Sequence, residues 1–333
     1  MGGIGAGILF ALEGNHDLGR NESRAARLLD ARDYCKLHII AHYPAVLLAS
    51  GGGRGFRVVP VGKLGADDVG ARLRREMAQA GMDTSLVESV EGAPTLFSVC
   101  FQYPDGSGGN LTTLDSAAAR LTVADVDRSA PFLDPRSIAL AAPEVPLEAR
   151  LRLLELAKQR SALRVAAFTS AEMGEARERG ALSIVDLLAL NEDEAAALTG
   201  GARAYADPAA FLKATADAFA AQNPRGRLLL SLGARGAYAW ADGRWHHAPA
   251  LPVTVRSTAG AGDALLGGTL TGLALGLRFE NAVDLGSLVA AFKVTSPHTI
   301  PPDFDLEALR AFAAACAVTL PPQLTRSVPE ETR

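Results

Sequence analysis

The stretch Ser257-Thr-Ala-Gly-Ala-Gly-Asp263-Ala-Leu-Leu-Gly-Gly268 leads from a glycine-rich turn directly into an apolar run that is compatible with a helix. Gly260, Ala261 and Gly262 have no bulky side chain to block the N–H groups that a beginning helix leaves unpaired, and the helix dipole adds partial positive charge there. The turn is therefore suited to a phosphate group. Asp263 would be repelled by that phosphate unless it serves as a base or a metal ligand. The same residues also fit a core helix that Asp263 merely caps.

The composition is typical of a soluble, globular protein that acts on a small molecule. Of the 333 residues, 48% are hydrophobic and 21% charged, which is enough for one large α/β domain with a smaller appendage. The net charge of -4 and the scattered lysines give no basic stripe, so we expect no nucleic-acid and no membrane partner. Three cysteines without C-x-x-C spacing fit a reducing compartment.

The apolar opening residues 1–12 do not form a typical signal peptide, because they lack a basic n-region and run directly into Glu13. Residues 264–277 are too short and too rich in glycine to span a bilayer. We therefore expect a cytoplasmic protein.

Residues 257–263 resemble the second signature, D-T-x-G-A-G-D, of the PfkB family, the ribokinase-like carbohydrate kinases. Val61-Gly-Lys-Leu-Gly-Ala-Asp-Asp68, completed by Gly70, resembles the V-G-x-x-G-x-D-x-x-G of the same family. The resemblance implies a ribokinase-like α/β fold, with a mainly parallel sheet, helices on both faces and a small β lid. The predicted boundaries are a single kinase domain over 1–322 with lid segments at about 11–32 and 93–115. The residues after Pro322 are predicted from their composition to form a disordered tail over 323–333.

The hydrophobic pattern is independently compatible with that fold. Between residues 136 and 232 apolar strand-like runs alternate with helical segments, which predicts a parallel sheet covered on both faces. Further strands are predicted over 2–12, 56–61, 94–103 and 109–114, the last two as a hairpin. A helix over 34–49 carries His38 and His42, which we interpret as surface or core residues because no carboxylate accompanies them at metal spacing.

Two segments at predicted strand ends are candidates for the nucleotide site. Asn191-Glu-Asp-Glu194 fits a helix capping box, and it also resembles the family's N-x-x-E, which implies that Asn191 and Glu194 hold Mg²⁺ largely through water. Ser231-Leu-Gly-Ala-Arg-Gly236 resembles T-x-G-x-x-G, which implies that Ser231, Gly233 and Gly236 lie near the nucleotide phosphates. A β-hairpin turn in the second segment is compatible with that role.

The run 287–295 resembles the helix and loop that form one wall of the adenine pocket in the family, which implies contacts from Ser287 and Ala291. An ordinary amphipathic core helix fits the same residues.

The acceptor site departs from the family pattern at several positions. Gly5 and Gly7 stand where the family often has an asparagine and a substrate-binding aspartate, so Gly7 cannot bind a sugar diol with a side chain. Glu144-Val-Pro-Leu-Glu148 resembles the E-x-P-x-E of ribokinases, although an acid in this position also fits a helix cap. The candidate acceptor-binding residues are Gly7, Asp33, Lys36, Asn110 and Glu144. Because Lys36 is cationic, we expect it to favour an acceptor with a carboxylate or phosphate, with free ribose a poor substrate.

Ser257 and Ala259 replace an acid and a hydroxyl residue near the family's monovalent-cation site. We therefore expect activity to depend little on potassium.

The sequence predicts a phosphotransferase without a P-loop. It contains no G-x-x-x-x-G-K-[ST], no H-E-x-x-H and no G-x-S-x-G. The resemblance implies that ATP and Mg²⁺ are used to phosphorylate a hydroxyl of a sugar or sugar-like molecule. Asp263 would be the general base, and the turn 260–263 would be the anion hole. A nucleoside kinase of the same fold and a non-catalytic metabolite- or nucleotide-binding protein remain alternatives, and a homodimer through the lid is a further expectation.

Overall fold

The computed structural model describes residues 1–49, 55–105, 107–201 and 207–325. Its strands are β1 (Gly5–Leu12), β2 (Ala26–Tyr34), β3 (Gly62–Gly65), β4 (Val87–Val90), β5 (Leu96–Gln102), β6 (Gly108–Thr112), β7 (Ile138–Ala141), β8 (Leu163–Ala167), β9 (Leu187–Asn191), β10 (Arg227–Ser231), β11 (Ala237–Ala241) and β12 (Arg244–Ala248). Its helices are α1 (Lys36–Ala49), α2 (Asp68–Gln79), α3 (Val123–Asp127), α4 (Leu147–Gln159), α5 (Met173–Glu178), α6 (Ala181–Ile184), α7 (Glu192–Thr199), α8 (Pro208–Ala220), α9 (Ala261–Ala274), α10 (Phe279–Val294), α11 (Leu306–Ala315) and α12 (Pro322–Thr325).

The central sheet has the strand order β12-β11-β10-β9-β8-β7, with β7 to β10 parallel and β11 and β12 antiparallel. The first residues of the chain extend it beyond β7, because Met1 N donates to Leu140 O at 2.8 Å and Gly3 N donates to Pro143 O at 2.9 Å. The predicted α/β class with a mainly parallel sheet is therefore confirmed. Its physical basis is the alternation of apolar strands and helices between residues 136 and 232.

Side chains of successive residues in β9 enter different cores. Leu188 and Leu190 pack in the core that contains α4 residues such as Leu154. Leu187 and Ala189 pack in the core that contains Leu265 of α9. Since strand side chains alternate between faces, this continuous apolar run requires helices on both sides of the sheet. The sheet thereby fixes α9, and the turn in front of it, against one face.

A second sheet, β2-β1-β5-β6, forms the small β appendage. It begins at Gly5, earlier than the predicted lid boundary at residue 11, because β1 pairs along its length with both β2 and β5. The predicted hairpin is formed by β5 and β6, which are antiparallel. Within the described residues, no helix is long and apolar enough to cross a membrane.

Two predicted boundaries differ from the structure. Residues 56–61 form no strand. The strand is β3, over Gly62–Gly65, where the chain can pair with β4, and Pro60 just before it has no N–H to donate. The fold also continues past the predicted end at 322, since α12 spans Pro322–Thr325 and Leu324 is buried. The rest of the predicted tail, 326–333, lies outside the described residues.

Helices α9 and α10 approach each other through glycines. A Cβ on Gly286 would lie 2.4 Å from Leu265 O and 2.4 Å from Thr269 Oγ1, and a Cβ on Gly268 would lie 2.8 Å from Gly286 Cα. Neither site has room for a side chain. These glycines therefore set the position of α9 relative to α10.

We expect Gly286→Ala to destabilise the protein by about 1–3 kcal/mol, because the added methyl group meets backbone as well as side-chain atoms. The free energy of unfolding in urea measures this. Gly174→Ala in α5 is the matched control, since a Cβ there has no neighbour within 4 Å, and it should be neutral or slightly stabilising. Equal stability of the Gly286→Ala protein and the wild type would contradict the account of this contact.

Candidate active site

The turn in front of α9 presents free backbone N–H groups. Gly260 is the N-cap residue, with φ at 74°, a left-handed conformation that favours glycine. Ala261 N donates to Thr258 O at 3.1 Å to close the turn, so Ala261 offers no donor, in contrast to the prediction for the whole 260–263 turn. Among the described residues, the N–H groups of Gly262 and Asp263 have no protein partner. The candidate anion hole therefore lacks the Ala261 N–H group that the sequence had suggested.

Thr299 holds this turn against α1 and the lid. A Cβ on Gly260 would lie 3.4 Å from Thr299 O, so the two backbones pass close to one another. Thr299 O accepts a hydrogen bond from the Tyr43 hydroxyl at 3.4 Å, and Thr299 Oγ1 accepts one from Tyr34 N at 3.3 Å. No motif in the sequence indicated this role of Thr299.

Asp263 faces Lys36, the first residue of α1. Lys36 Nζ lies 3.7 Å from Asp263 Oδ1, and their side chains are 35% and 17% exposed. Burial raises the pKa of Asp263, and the ammonium groups of Lys36 and Lys293 oppose that rise. The carboxylate of Asp263 in turn raises the pKa of Lys36. The ion pair thus offsets part of the effect of burial on the pKa of Asp263.

Glu144 follows β7 and joins the same cluster. Its Oε2 accepts a hydrogen bond from Lys36 N at 3.1 Å. Burial raises the pKa of Glu144 to about 7, against the opposing charge of Lys36. Its φ of 71° is left-handed, which is uncommon for a residue with a side chain and often marks a functional position.

The remaining predicted acceptor residues lie on the lid. Gly7 pairs with Asp33 between β1 and β2, and a Cβ on Gly7 would lie 2.6 Å from Ser98 O, so only glycine fits there. Asp33 is buried, and burial raises its pKa, while the side chains of Cys100 and Thr299 oppose this shift.

Asn110 lies farther out than the other acceptor candidates. It is on the edge strand β6, exposed and in register with Cys100, and its amide donates to Thr112 Oγ1 at 3.0 Å. The structure therefore gathers Asp33, Lys36 and Glu144 near Asp263 and leaves Asn110 at the rim.

Asn191 and Glu194 form the capping box of α7. Asn191 Oδ1 accepts a hydrogen bond from Glu194 N, and Glu194 Oε2 accepts one from Asn191 N, both at 2.8 Å. Burial raises the pKa of Glu194, and the charge of Lys36 opposes that rise. Asn191 and Glu194 thus cap α7, and the carboxylate of Glu194 also interacts electrostatically with Lys36.

The described residues contain no group of three or more His, Cys, Asp or Glu that could hold a metal ion. A Mg²⁺ ion near Glu194 would therefore take most of its oxygen ligands from phosphate and water. The chemistry of one carboxylate and one amide oxygen fits an ion held in that way.

The segment 231–236 forms the predicted hairpin turn. It connects β10 and β11 as a hairpin, with Leu230 opposite Tyr238. Ser231 is in register with Asn191, and its Oγ would lie 3.8 Å from a Cβ on Gly262. Gly233 and Gly236 have φ values of 53° and 84°. The carboxyl ends of β9 and β10 thus meet the α9 turn, where ligands bind in open α/β sheets.

Helix α10 carries the predicted adenine-pocket residues. Ala291 is buried, and Ser287 Oγ is buried without a hydrogen-bond partner among the described residues. Lys293 on the same helix is fully buried, and its Nζ donates to Ser257 O at 2.9 Å. Burial lowers the pKa of Lys293 to about 8. A lysine within the apolar run 291–294 indicates in the sequence that Lys293 is buried, although no role was predicted for it.

His38 and His42 on α1 are neutral. Burial lowers the pKa of His38 to about 3 and that of His42 to about 4. His38 Nδ1 and His42 Nε2 are buried without hydrogen-bond partners in the described part of the chain. The structure thus gives no role in chemistry to either ring.

Comparison with known proteins identifies the family. The model for the pfkB family carbohydrate kinases matches residues 45–305. The chain belongs to the PfkB family. This PfkB-family kinase is similar to a ribokinase of Haemophilus influenzae, with 26% identity over 241 residues that cover 72% of this chain and 76% of the relative.

Solved structures show the same fold. A nucleoside kinase of Burkholderia thailandensis in complex with inosine has a TM-score of 0.72 and 18% identity, covering 95% of this chain and 97% of that one. A ribokinase of Arabidopsis thaliana complexed with ribose and ATP has a TM-score of 0.67 and 18% identity, covering 93% and 96%. The PfkB-family kinase therefore shares its architecture with sugar and nucleoside kinases alike.

We expect Lys36→Ala to move the acid limb of the kcat profile of this PfkB-family kinase to higher pH. If Asp263 is the general base, it must be ionised for turnover. The charge of Lys36 opposes the rise in the pKa of Asp263, so removal of Lys36 would raise that pKa further. Steady-state rates over a pH series measure the limb.

Lys36→Arg keeps the positive charge and serves as the control. The acid limb of its kcat profile should lie near that of the wild type. An unchanged limb in a folded Lys36→Ala protein would show that the ion pair does not tune Asp263.

Proposed function

We propose that this kinase transfers the γ-phosphoryl group of ATP to a hydroxyl of a sugar-like small molecule, with Asp263 as the general base. The observation that carries the proposal is the placement of a partly buried, lysine-paired carboxylate beside the free N–H groups of a helix N-terminus. The N–H groups suit the charge that develops on the transferring group. The carboxylate suits the proton that the attacking hydroxyl must lose.

The donor site follows from the positions of the strand ends. Ser231 and the glycines of the 231–236 hairpin would receive the nucleotide phosphates, with Ser287 and Ala291 of α10 toward the base. Asn191 and Glu194 would hold Mg²⁺ through water, and the bound ion would neutralise charge on the β- and γ-phosphates.

The acceptor site would favour a molecule that carries a carboxylate or phosphate. Lys36 supplies a positive charge, one-third exposed, beside Asp263, and Asp33 and Glu144 supply hydrogen-bonding carboxyl groups near it. Gly7 contributes space instead of a side chain. Free ribose has no anionic group to pair with Lys36, so we expect it to be a poor substrate. Lys36→Ala should accordingly raise KM for the acceptor more than it lowers kcat at the pH optimum.

A nucleoside acceptor is the second candidate function. The observation that favours it is the fold similarity to the Burkholderia thailandensis nucleoside kinase, whose structure contains inosine. The third candidate is a non-catalytic protein that only binds a metabolite or nucleotide. A protein that only binds a ligand has no need for a lysine-paired carboxylate such as Asp263 next to free N–H donors. A cytoplasmic location stays a prediction from the sequence.

The test is ADP release from MgATP with a panel of sugars, anionic sugar derivatives and nucleosides, for the wild type and Asp263→Asn. We expect turnover with at least one acceptor and a drop in kcat of roughly 10² to 10⁴ in the variant, because only proton acceptance is lost. ATP binding, measured by calorimetry, should remain near the wild-type value.

Wild-type protein that turns over no acceptor in the panel would contradict the kinase proposal. Asp263→Asn protein with more than about a tenth of the wild-type kcat would contradict the role of Asp263 as the base.

We also propose that a second copy of the chain covers the outer face of the lid sheet. Strand register puts Phe10, Phe101 and Val99 on one face together with Leu28 and Leu111, which are 55% and 70% exposed. An apolar sheet face of this kind marks an interaction surface. We name this the outer lid face.

We expect the wild type to be a dimer by light scattering after gel filtration, and Leu111→Asp to be a monomer, because the charge would be buried in the interface. Leu114→Asp, 91% exposed and outside the strands, is the control and should remain dimeric. Monomeric wild-type protein would disprove the lid dimer.

A further inference from the structure

Lys293 is a fully buried lysine behind the turn that precedes α9. Its Nζ donates to Ser257 O at 2.9 Å. The backbone of the same segment is attached to the end of α10, because Arg256 N donates to Val294 O at 2.7 Å and Ser257 N donates to the same oxygen at 3.3 Å. The entrance to the 257–263 turn is thus fixed to α10 by backbone bonds and by one ammonium group.

Three aspartates influence this ammonium group electrostatically. Asp33, Asp30 and Asp263 each favour the charged form of Lys293 electrostatically, against the cost of its burial. Asp30 and Asp33 are each 3% exposed, and Asp30 Oδ2 also contacts His298 Nδ1 at 3.0 Å. Carboxylates removed from water need compensating charge, and burial leaves the pKa of Lys293 at about 8, so at neutral pH it is mainly charged.

We propose that Lys293 is a positioning residue whose tethered ammonium group does the work of a bound monovalent cation. It donates a hydrogen bond to the Ser257 carbonyl and compensates the negative charge of Asp30, Asp33 and Asp263. It thereby fixes the 257–263 turn so that Gly262 and Asp263 present their N–H groups to the transferring phosphoryl group. This inference depends on the proposed function. It gives a structural reason for weak potassium dependence, which the sequence had suggested from Ser257 and Ala259 alone. A covalently attached cation needs no dissolved ion.

The first experiment compares wild-type kcat in choline, sodium and potassium chloride at constant ionic strength. We expect rates within about twofold of each other, since the internal cation is always present. A rate that appears only with potassium would overturn the proposal. This measurement does not depend on any variant folding.

The second experiment replaces the charge and then restores it. Lys293→Met should lower kcat by about 10²-fold, because the turn is misplaced relative to the reacting atoms. In Lys293→Ala, ammonium or methylammonium chloride should restore activity at least about tenfold over choline chloride, because a small cation can occupy the space left by the side chain. Lys213→Met, which removes an exposed lysine of α8, is the matched control and should behave as the wild type.

The third experiment separates this inference from the proposed function, because it needs no turnover. Calorimetry with β,γ-methylene-ATP and with ADP gives the affinity that the γ-phosphoryl group contributes at the turn. We expect that difference to fall in Lys293→Ala and to return with methylammonium. Wild-type protein without kinase activity would contradict the function, and the affinity difference would still decide the role of Lys293.

Folded Lys293→Ala protein with neither rescued activity nor a rescued affinity difference would show that Lys293 is only structural. If the variants do not fold, the salt comparison on the wild type decides the matter.

Discussion

The site depends on holding several carboxylates largely out of water around one lysine, Lys36. Asp263, Glu144 and Glu194 each have a pKa raised by burial, and Lys36 opposes that rise in all three. Lys293 balances the charge on the other side of the turn. A buried charge without a partner is costly, so the two lysines reduce the cost of placing the Asp263 carboxylate beside the free N–H groups of α9. Their positions in turn depend on α1 and α10 packing against α9.

The fold brings these groups together from distant parts of the chain. Lys36 begins the helix that follows the lid strand β2, Glu144 follows β7, and Asp263 lies in the first turn of α9. The central sheet aligns the carboxyl ends of its parallel strands, which places the Asn191 and Ser231 segments at the same edge. The lid strand β2 contacts Thr299 beside the α9 turn. In the proposed reaction, exclusion of water there would limit the competing hydrolysis of ATP.

The fold could be predicted largely from local pattern, because the βα alternation and the 257–263 turn are encoded by neighbouring residues. The prediction of a strand at 56–61 was wrong. The strand forms at Gly62–Gly65, because its position is set by pairing with a strand more than twenty residues away in the sequence. In the site, Asp263, Lys36 and Glu144 carried local signals, and the structure places them together. Their ion pair could not be predicted, because it joins residues 36 and 263 through tertiary packing.

Lys293 and Thr299 show the same limit. Each contacts the turn from more than thirty residues away in the sequence. The charge of Lys293 within an apolar helix was an indication of its role, and nothing comparable marks Thr299. Ala261 is the opposite case, because its small side chain suggested an available N–H that the turn itself uses.

The most direct measurement is a crystal structure of the protein with a non-hydrolysable ATP analogue, Mg²⁺ and an acceptor identified by turnover. The account predicts the γ-phosphate at the N–H groups of Gly262 and Asp263, with one acceptor hydroxyl about 2.6–3.2 Å from the Asp263 carboxylate. A γ-phosphate bound away from the start of α9, or an acceptor with no hydroxyl near Asp263, would contradict it.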